Sequence, residues 1–331
     1  MASSNPQTTL SLPARLLCYI GPPSTILLTS LASPRTGLLS PIAFVPTALG
    51  FEAWRKASKT EPEARASLES LIWTFGGVGT VGLTAVMIAQ ITILSGTARL
   101  LFPNYIVRKA FMDEFVRATV HGLTPDEMAT RVAFSSSWQN WVFNSSLSFA
   151  MAAVTEELLK LSPILFFNRK AKKGEAKLGH LAYLDYALAA GLSFGLVEGI
   201  GFLYAACEST EETGWTLART VAERFIAGSS AHLLYAALTG LRATRKLVYG
   251  DQLSWWSVLA PAVLFHGTSN LFAFGLSTLE GNVGWIHPTG FWTQIALYSA
   301  VVGVNGLAAW SVRKEWKILR VKEVKDEAKS M

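Results

Sequence analysis

Charge is scarce in this chain. Only 16% of its 331 residues are Asp, Glu, Lys or Arg, against about a quarter in an ordinary soluble domain. Cysteine is nearly absent. Cys18 and Cys207 allow at most one bridge, which excludes a disulfide-stapled secreted module and a cysteine-based zinc site. Internal repeats and low-complexity tracts are lacking. The N-terminal apolar stretch has no compact apolar core and no clear small-residue cleavage site, so it makes a poor signal peptide. What the chain has in abundance is apolar side chains: half of the residues are apolar or aromatic, and mean hydropathy is +0.33. Disorder and coiled coil are excluded, and a polytopic membrane protein leads.

A helix needs about 20 mostly apolar residues to cross a bilayer. Leu71–Ala98, Trp138–Phe167, Leu181–Ala206, Thr216–Leu241, Trp255–Thr278 and Gly290–Val312 reach that length. Leu38–Trp54 is a shorter seventh. Leu16–Ala32, interrupted by Gly21, Pro22 and Pro23, is an eighth candidate or a re-entrant or interfacial piece. The expectation is therefore an all-α bundle of 7–8 transmembrane helices, a single integral membrane domain over 1–331, with a polar site in the bundle core. The segments 55–65, 168–180, 242–252 and the tail from Arg313 hold 19 of the 29 lysines and arginines. The alternate loops 207–218 and 279–289 hold no lysine or arginine, and the first is acidic at Glu208, Glu211 and Glu212. By the positive-inside rule, the basic segments and the C-terminus (313–331) are cytoplasmic. The net charge of +6 then reflects basic loops beside the lipid bilayer, and no nucleic-acid partner is expected.

The loop 99–137 falls on the other side. Val107, Phe111, Phe115 and Ala118 recur at helical spacing, and Thr124-Pro125-Asp126-Glu127 has the form of a capped helix start. It reads as one or two amphipathic helices on the membrane, a structural connector more than a gate.

Ionisable groups inside spans are costly and usually face a cavity or a partner. Four consecutive spans carry them: Glu156, Glu157 and Lys160; then Glu198; then Glu223, Arg224 and His232; then His266 and Asn270. Counted from the cytoplasmic span ends at 1.5 Å per residue, Glu156 and Glu157 lie roughly 15–17 Å deep, His232 roughly 14 Å, His266 roughly 17 Å and Glu198 roughly 25 Å. Glu156 and Lys160 stand four apart in the favourable order for a helical ion pair. His266 and Asn270 share a face, and small residues such as Gly195, Gly199 and Gly240 allow close helix approach.

The ordered motifs Glu156-Glu157-Leu-Leu-Lys160, Phe194-Gly-Leu-Val-Glu198, Arg224 with His232, and His266-Gly-Thr-Ser-Asn270 resemble the PrsW family of intramembrane proteases. That family lies within the type II CAAX prenyl protease superfamily, whose CAAX members typically have Arg and His where Lys160 and Glu198 stand. The match spans about 150–275, the expected catalytic core. The resemblance implies that both glutamates matter.

Amide hydrolysis needs an activated water, a proton carrier and an oxyanion donor. Glu156 is the choice for general base, with Glu157 aimed elsewhere because successive helical residues diverge by about 100°. His232 and His266 serve as proton carriers, oxyanion donors or metal ligands, and Asn270 as neutral donor. Lys160, Glu198 and Arg224 are supporting residues, Arg224 pairing with Glu223 or Glu198. Resemblance to the CAAX group favours a metal-free glutamate site with no cofactor. The alternative is zinc on His232, His266 and one or more of Glu156, Glu157 and Glu198. The expected partner is a membrane-anchored protein substrate. Competing readings are a polar-core transporter, a non-catalytic protease-derived scaffold and a lyase or cyclase acting on a membrane isoprenoid.

Overall fold

The computed structural model describes residues 10–117, 119–176, 178–208 and 214–330. Expectations resting on Ala118, Lys177, Glu211 and Glu212 lie outside the described residues. Helices begin where the sequence supplies caps. Ser67 Oγ accepts from the Ser70 amide, Asn104 Oδ1 from the amides of Ile106 and Val107, and Ser137 Oγ from the Asn140 amide. Thr124 and Glu127 close a full capping box, as their spacing predicts. The helices are α1 (Leu12–Ala32), α2 (Pro34–Leu39), α3 (Val45–Thr60), α4 (Leu68–Leu101), α5 (Tyr105–Phe115), α6 (Pro125–Ser135), α7 (138–172), α8 (Ala182–Glu208), α9 (214–247), α10 (Trp255–Leu279) and α11 (Phe291–Ser330). No strand occurs among the described residues.

Helices α4, α8, α10 and α11 are long and apolar enough to cross a membrane. The equally long α7 and α9 are diluted by Glu156, Glu157 and Lys160 and by Glu223 and Arg224. This all-helical pattern is compatible with seven or eight spans. Leu38–Trp54 is not one α-helix, however. A 3-10 turn over Ser40–Phe44 separates α2 from α3, because Pro41 and Pro46 remove two amide donors in quick succession. Pro22 and Pro23, by contrast, sit inside an unbroken α1. Three helices contain π turns: α4 over Val78–Gly82, α7 over Leu147–Val154 and α9 over Glu223–Gly228.

The chain forms two compact units, one of Met1–Thr84, Leu158–Leu259 and Ser311–Met331, the other of Ala85–Glu157 and Ala260–Trp310. In the first, α8 is buried along most of its length and packs on the Ser229–Leu247 part of α9. Small residues permit this approach: a Cβ on Gly240 would stand 2.8 Å from Leu184 Cα, and one on Gly191 would stand 3.0 Å from the His232 carbonyl oxygen. Asp185 is buried here and accepts from Arg65 Nη1 at 2.8 Å and the Ala66 amide at 3.0 Å. Glu315 of α11 binds Arg242 and Arg245 of α9. In the second unit, Phe102, Phe111, Phe143, Leu147 and Val283 form the core. Arg131 of α6, with no exposed surface, donates to Glu114 and to the Val283 carbonyl. The 99–137 segment thus contains two helices held to their unit by a buried charge.

Candidate active site

The second unit carries Glu156, Glu157, His266 and Asn270. A π turn over Leu147–Val154 leads directly into Thr155–Lys172, whose first turn presents the two glutamates. Such turns recur at functional sites. Glu156 and Glu157 are 4% and 0% exposed. Both approach His266: its Nδ1 lies 3.0 Å from Glu157 Oε1, and its Nε2 lies 3.5 Å from Glu156 Oε2. The adjacent glutamates diverge, and because an imidazole has two nitrogens on opposite sides of its ring, one histidine meets both.

With Glu157 ionised, the short contact has Nδ1–H donating to it, and Nε2 faces Glu156 Oε2 at 3.5 Å, where a proton or a metal ion would lie between them. The spacing also suits zinc: bond lengths of about 2.0–2.1 Å in a tetrahedral site give an N···O span of about 3.4 Å. The donor set therefore fits the metal. The other oxygen of Glu156 accepts from Gln90 Nε2 at 3.2 Å. The sequence reading missed Gln90. Its signal was a carboxamide within the long apolar run of α4. Asn270 lies one turn beyond His266 on α10, partly buried.

The first unit carries Lys160, Glu198, Arg224 and His232. Lys160, with no exposed surface, places Nζ 3.0 Å from His232 Nδ1. His232 Nε2 is 2.8 Å from Glu198 Oε2. An ammonium has donors only. With Lys160 donating, His232 Nδ1 accepts and its Nε2–H donates to Glu198. Phe194 packs edge-on against the ring, with centroids 5.3 Å apart. The guanidinium of Arg224 stacks on Phe202, 3.2 Å from the ring centroid, a contact that counting carboxylates along the sequence does not find. Arg224 lies in a six-residue π turn that shifts its register relative to His232 on the same helix.

Two further residues lie off the site. Asn144, in the sequence Asn-Ser-Ser, has no exposed surface. His180 reaches Glu323 at 3.0 Å within the first unit.

A family model described as PrsW family intramembrane metalloprotease matches residues 102–302, more than half the chain and all four motifs. Comparison with curated proteins and with solved structures finds no match. Membrane-length apolar helices, buried glutamates shared by one histidine and this match agree: the chain belongs to the PrsW family of intramembrane metalloproteases.

Proposed function

We propose that the protein is an intramembrane endopeptidase that hydrolyses a peptide bond of a membrane-anchored protein, with its C-terminus in the cytoplasm. The observation that carries this reading is the 3.5 Å pair of His266 Nε2 and Glu156 Oε2, with Glu157 and Gln90 fixing its outer sides. Glu156 Oε2 takes a proton from water as the water oxygen bonds the scissile carbonyl carbon. It returns that proton to the amide nitrogen as the C–N bond breaks. Glu157 holds His266 in the Nδ1–H tautomer, as an outer carboxylate does for a reactive or ligating histidine. Lys160, His232 and Glu198 form a charge-assisted relay for the same reaction, and Asn270 supplies a neutral donor to the developing oxyanion. Zinc, which the family description implies, would be held by His266 and the Glu156 carboxylate, and would supply Lewis-acid polarisation and a more acidic water.

The metal-free preference drawn from sequence rested on the CAAX group. The family description supports a metal ion instead. We expect protein reconstituted in liposomes with a single-span substrate to lose cleavage by at least about 100-fold on chelation, by analogy with loss of metal-supported water activation. Zinc should restore it, and His266→Ala should lose bound zinc by elemental analysis. Full activity in chelated, zinc-free protein would leave Glu156 as an unassisted base. A carrier would show substrate or proton flux without cleavage, and a scaffold would keep its phenotype with every site residue replaced.

A further inference from the structure

Outside the reacting residues, the second unit buries a second polar group that the hydrolytic chemistry does not use. Asn140, Asn144 and Ser148 follow one another at four-residue intervals on α7, and each is 0% exposed. Asn140 Nδ2 donates to the Ser135 carbonyl oxygen at 3.1 Å and to Thr278 Oγ1 at 3.3 Å. Asn144 Nδ2 donates to Thr278 Oγ1 at 3.0 Å. Asn140 Oδ1, Asn144 Oδ1 and Ser148 Oγ have no hydrogen-bond partner among the described residues. Exchanging amide oxygen and nitrogen changes which atom is left over but does not remove the deficit. Three unsatisfied polar atoms on one buried strip are costly unless water meets them.

The strip leads to the glutamates. From Asn140 to Glu156 is 16 residues. At about 100° per residue an uninterrupted α-helix would place Glu156 roughly 160° away, on the opposite face. The π segment over Leu147–Val154 is 8 residues long. At roughly 80° per residue for i→i+5 turns, it brings Glu156 back to within about 20° of the Asn140 face. Position 152, between Ser148 and Glu156, is alanine, which leaves room along that face. The opposing helix α10 keeps the same course. Thr278 meets Asn140 and Asn144, and His266 meets Glu156 and Glu157. Asn270 lies between these two contacts, which are roughly 18 Å apart along α10.

We propose that Asn140, Asn144 and Ser148 hold a file of ordered water running along α7 from its Trp138 end to Glu156, and that this file supplies the water consumed in peptide hydrolysis. The proposal rests on the hydrolase reading above for its purpose but not for its existence. Each turnover removes one water at the Glu156 end, its oxygen passing to the new carboxyl group, and the file refills from the other end. The π turn serves this route by carrying the strip past what would otherwise be a half-turn mismatch.

The test has one arm independent of activity. Full-length protein carrying Glu156→Gln and Ser148→Cys, in nanodiscs in ¹⁸O-water, is exposed to X-ray-generated hydroxyl radicals. Oxidation is read residue by residue by mass spectrometry. The buried native Cys207 is the dry reference. The thiol introduced at position 148 should oxidise at least tenfold faster than Cys207, and an equal rate overturns the proposal. In the second arm, Asn144→Leu with Ser148→Ala removes two unsatisfied oxygens. It should lower kcat at least tenfold, with KM within twofold and Tm unchanged or higher. A merely structural role predicts activity that follows stability, so unchanged kcat in the folded variant also overturns the proposal. If the variant does not fold, the oxidation arm decides. If the wild type cleaves nothing, the hydrolase reading fails while the oxidation arm still reports the water.

Discussion

Replacing Glu156 with glutamine is expected to lower peptide cleavage by about 10²- to 10⁴-fold, the span typical of a lost general base, while leaving fold and substrate binding in place. Glutamine preserves shape and still accepts from Gln90 Nε2, which lies 3.2 Å from Glu156 Oε1. It cannot take a proton from water. Glu157→Gln should cost less, about 10- to 100-fold, as outer partners of a ligating histidine do. Its carboxylate lies 3.0 Å from the far nitrogen of His266, and its loss frees the ring to turn or change tautomer. Gln90→Leu should fall in the same range. Initial rates on a reconstituted single-span substrate, with circular dichroism as the control for folding, give the comparison. Equal and complete loss in both glutamate variants would show that Glu157 touches the reacting atoms too. The double variant Glu156→Gln with His232→Ala asks whether the relay serves the same reaction. Residues acting as a unit are strongly non-additive, so the double variant should be about as impaired as Glu156→Gln alone. Multiplying losses would assign the Lys160–His232–Glu198 set to a separate task.

The largest stability effect is expected at Arg131. Its guanidinium is fully buried and meets Glu114 Oε2 at 2.8 Å, the Glu114 carbonyl at 2.9 Å and the Val283 carbonyl at 2.8 Å. Arg131→Met leaves the buried Glu114 and Val283 carbonyls without their donor and Glu114 with Arg117 as its one remaining cation, at a cost of about 3–5 kcal/mol. Adding Glu114→Gln should recover little of that loss, because Arg117 still pairs the carboxylate and the orphaned carbonyls do most of the harm. Thermal unfolding in detergent, with loss of the 99–137 helices followed by protease nicking, gives the measurement. If Arg131→Met unfolds with the wild-type midpoint, the segment is held by its aromatic contacts instead. The acid dependence has a definite sign. Burial pushes the Glu114 carboxyl up, but the hydrogen bonds from Arg117 and Arg131 together outweigh it and hold the pKa below the ordinary carboxylate value. The stabilisation is therefore present above the unfolded carboxylate pKa and is lost as pH falls through the lower folded value. In Arg131→Met this acid-side dependence should shrink.

The helical fold and the identity of the polar residues were legible along the chain, because long apolar runs and costly intramembrane charges are one-dimensional signals. Low charge, span-length segments and the capped start at Thr124 followed from bilayer thickness and backbone hydrogen bonding alone, as did the candidacy of Glu156, Glu157, His232 and His266. Which groups meet was decided in three dimensions. Four-residue spacing offered Glu156 as the partner of Lys160, but the packing of α8 and α9 places its ammonium beside His232. Helical divergence set Glu156 and Glu157 apart, but α10 delivers a ring with two nitrogens between them. Gln90 joined the site from a run that looked uniformly apolar, and the stacking of Arg224 on Phe202 had no trace in charge patterning. Helical periodicity fixes directions only relative to one axis and assumes a constant turn. Each π segment shifts that phase, and contacts between helices depend on side chains distant in sequence, so these pairings belong to the folded molecule alone.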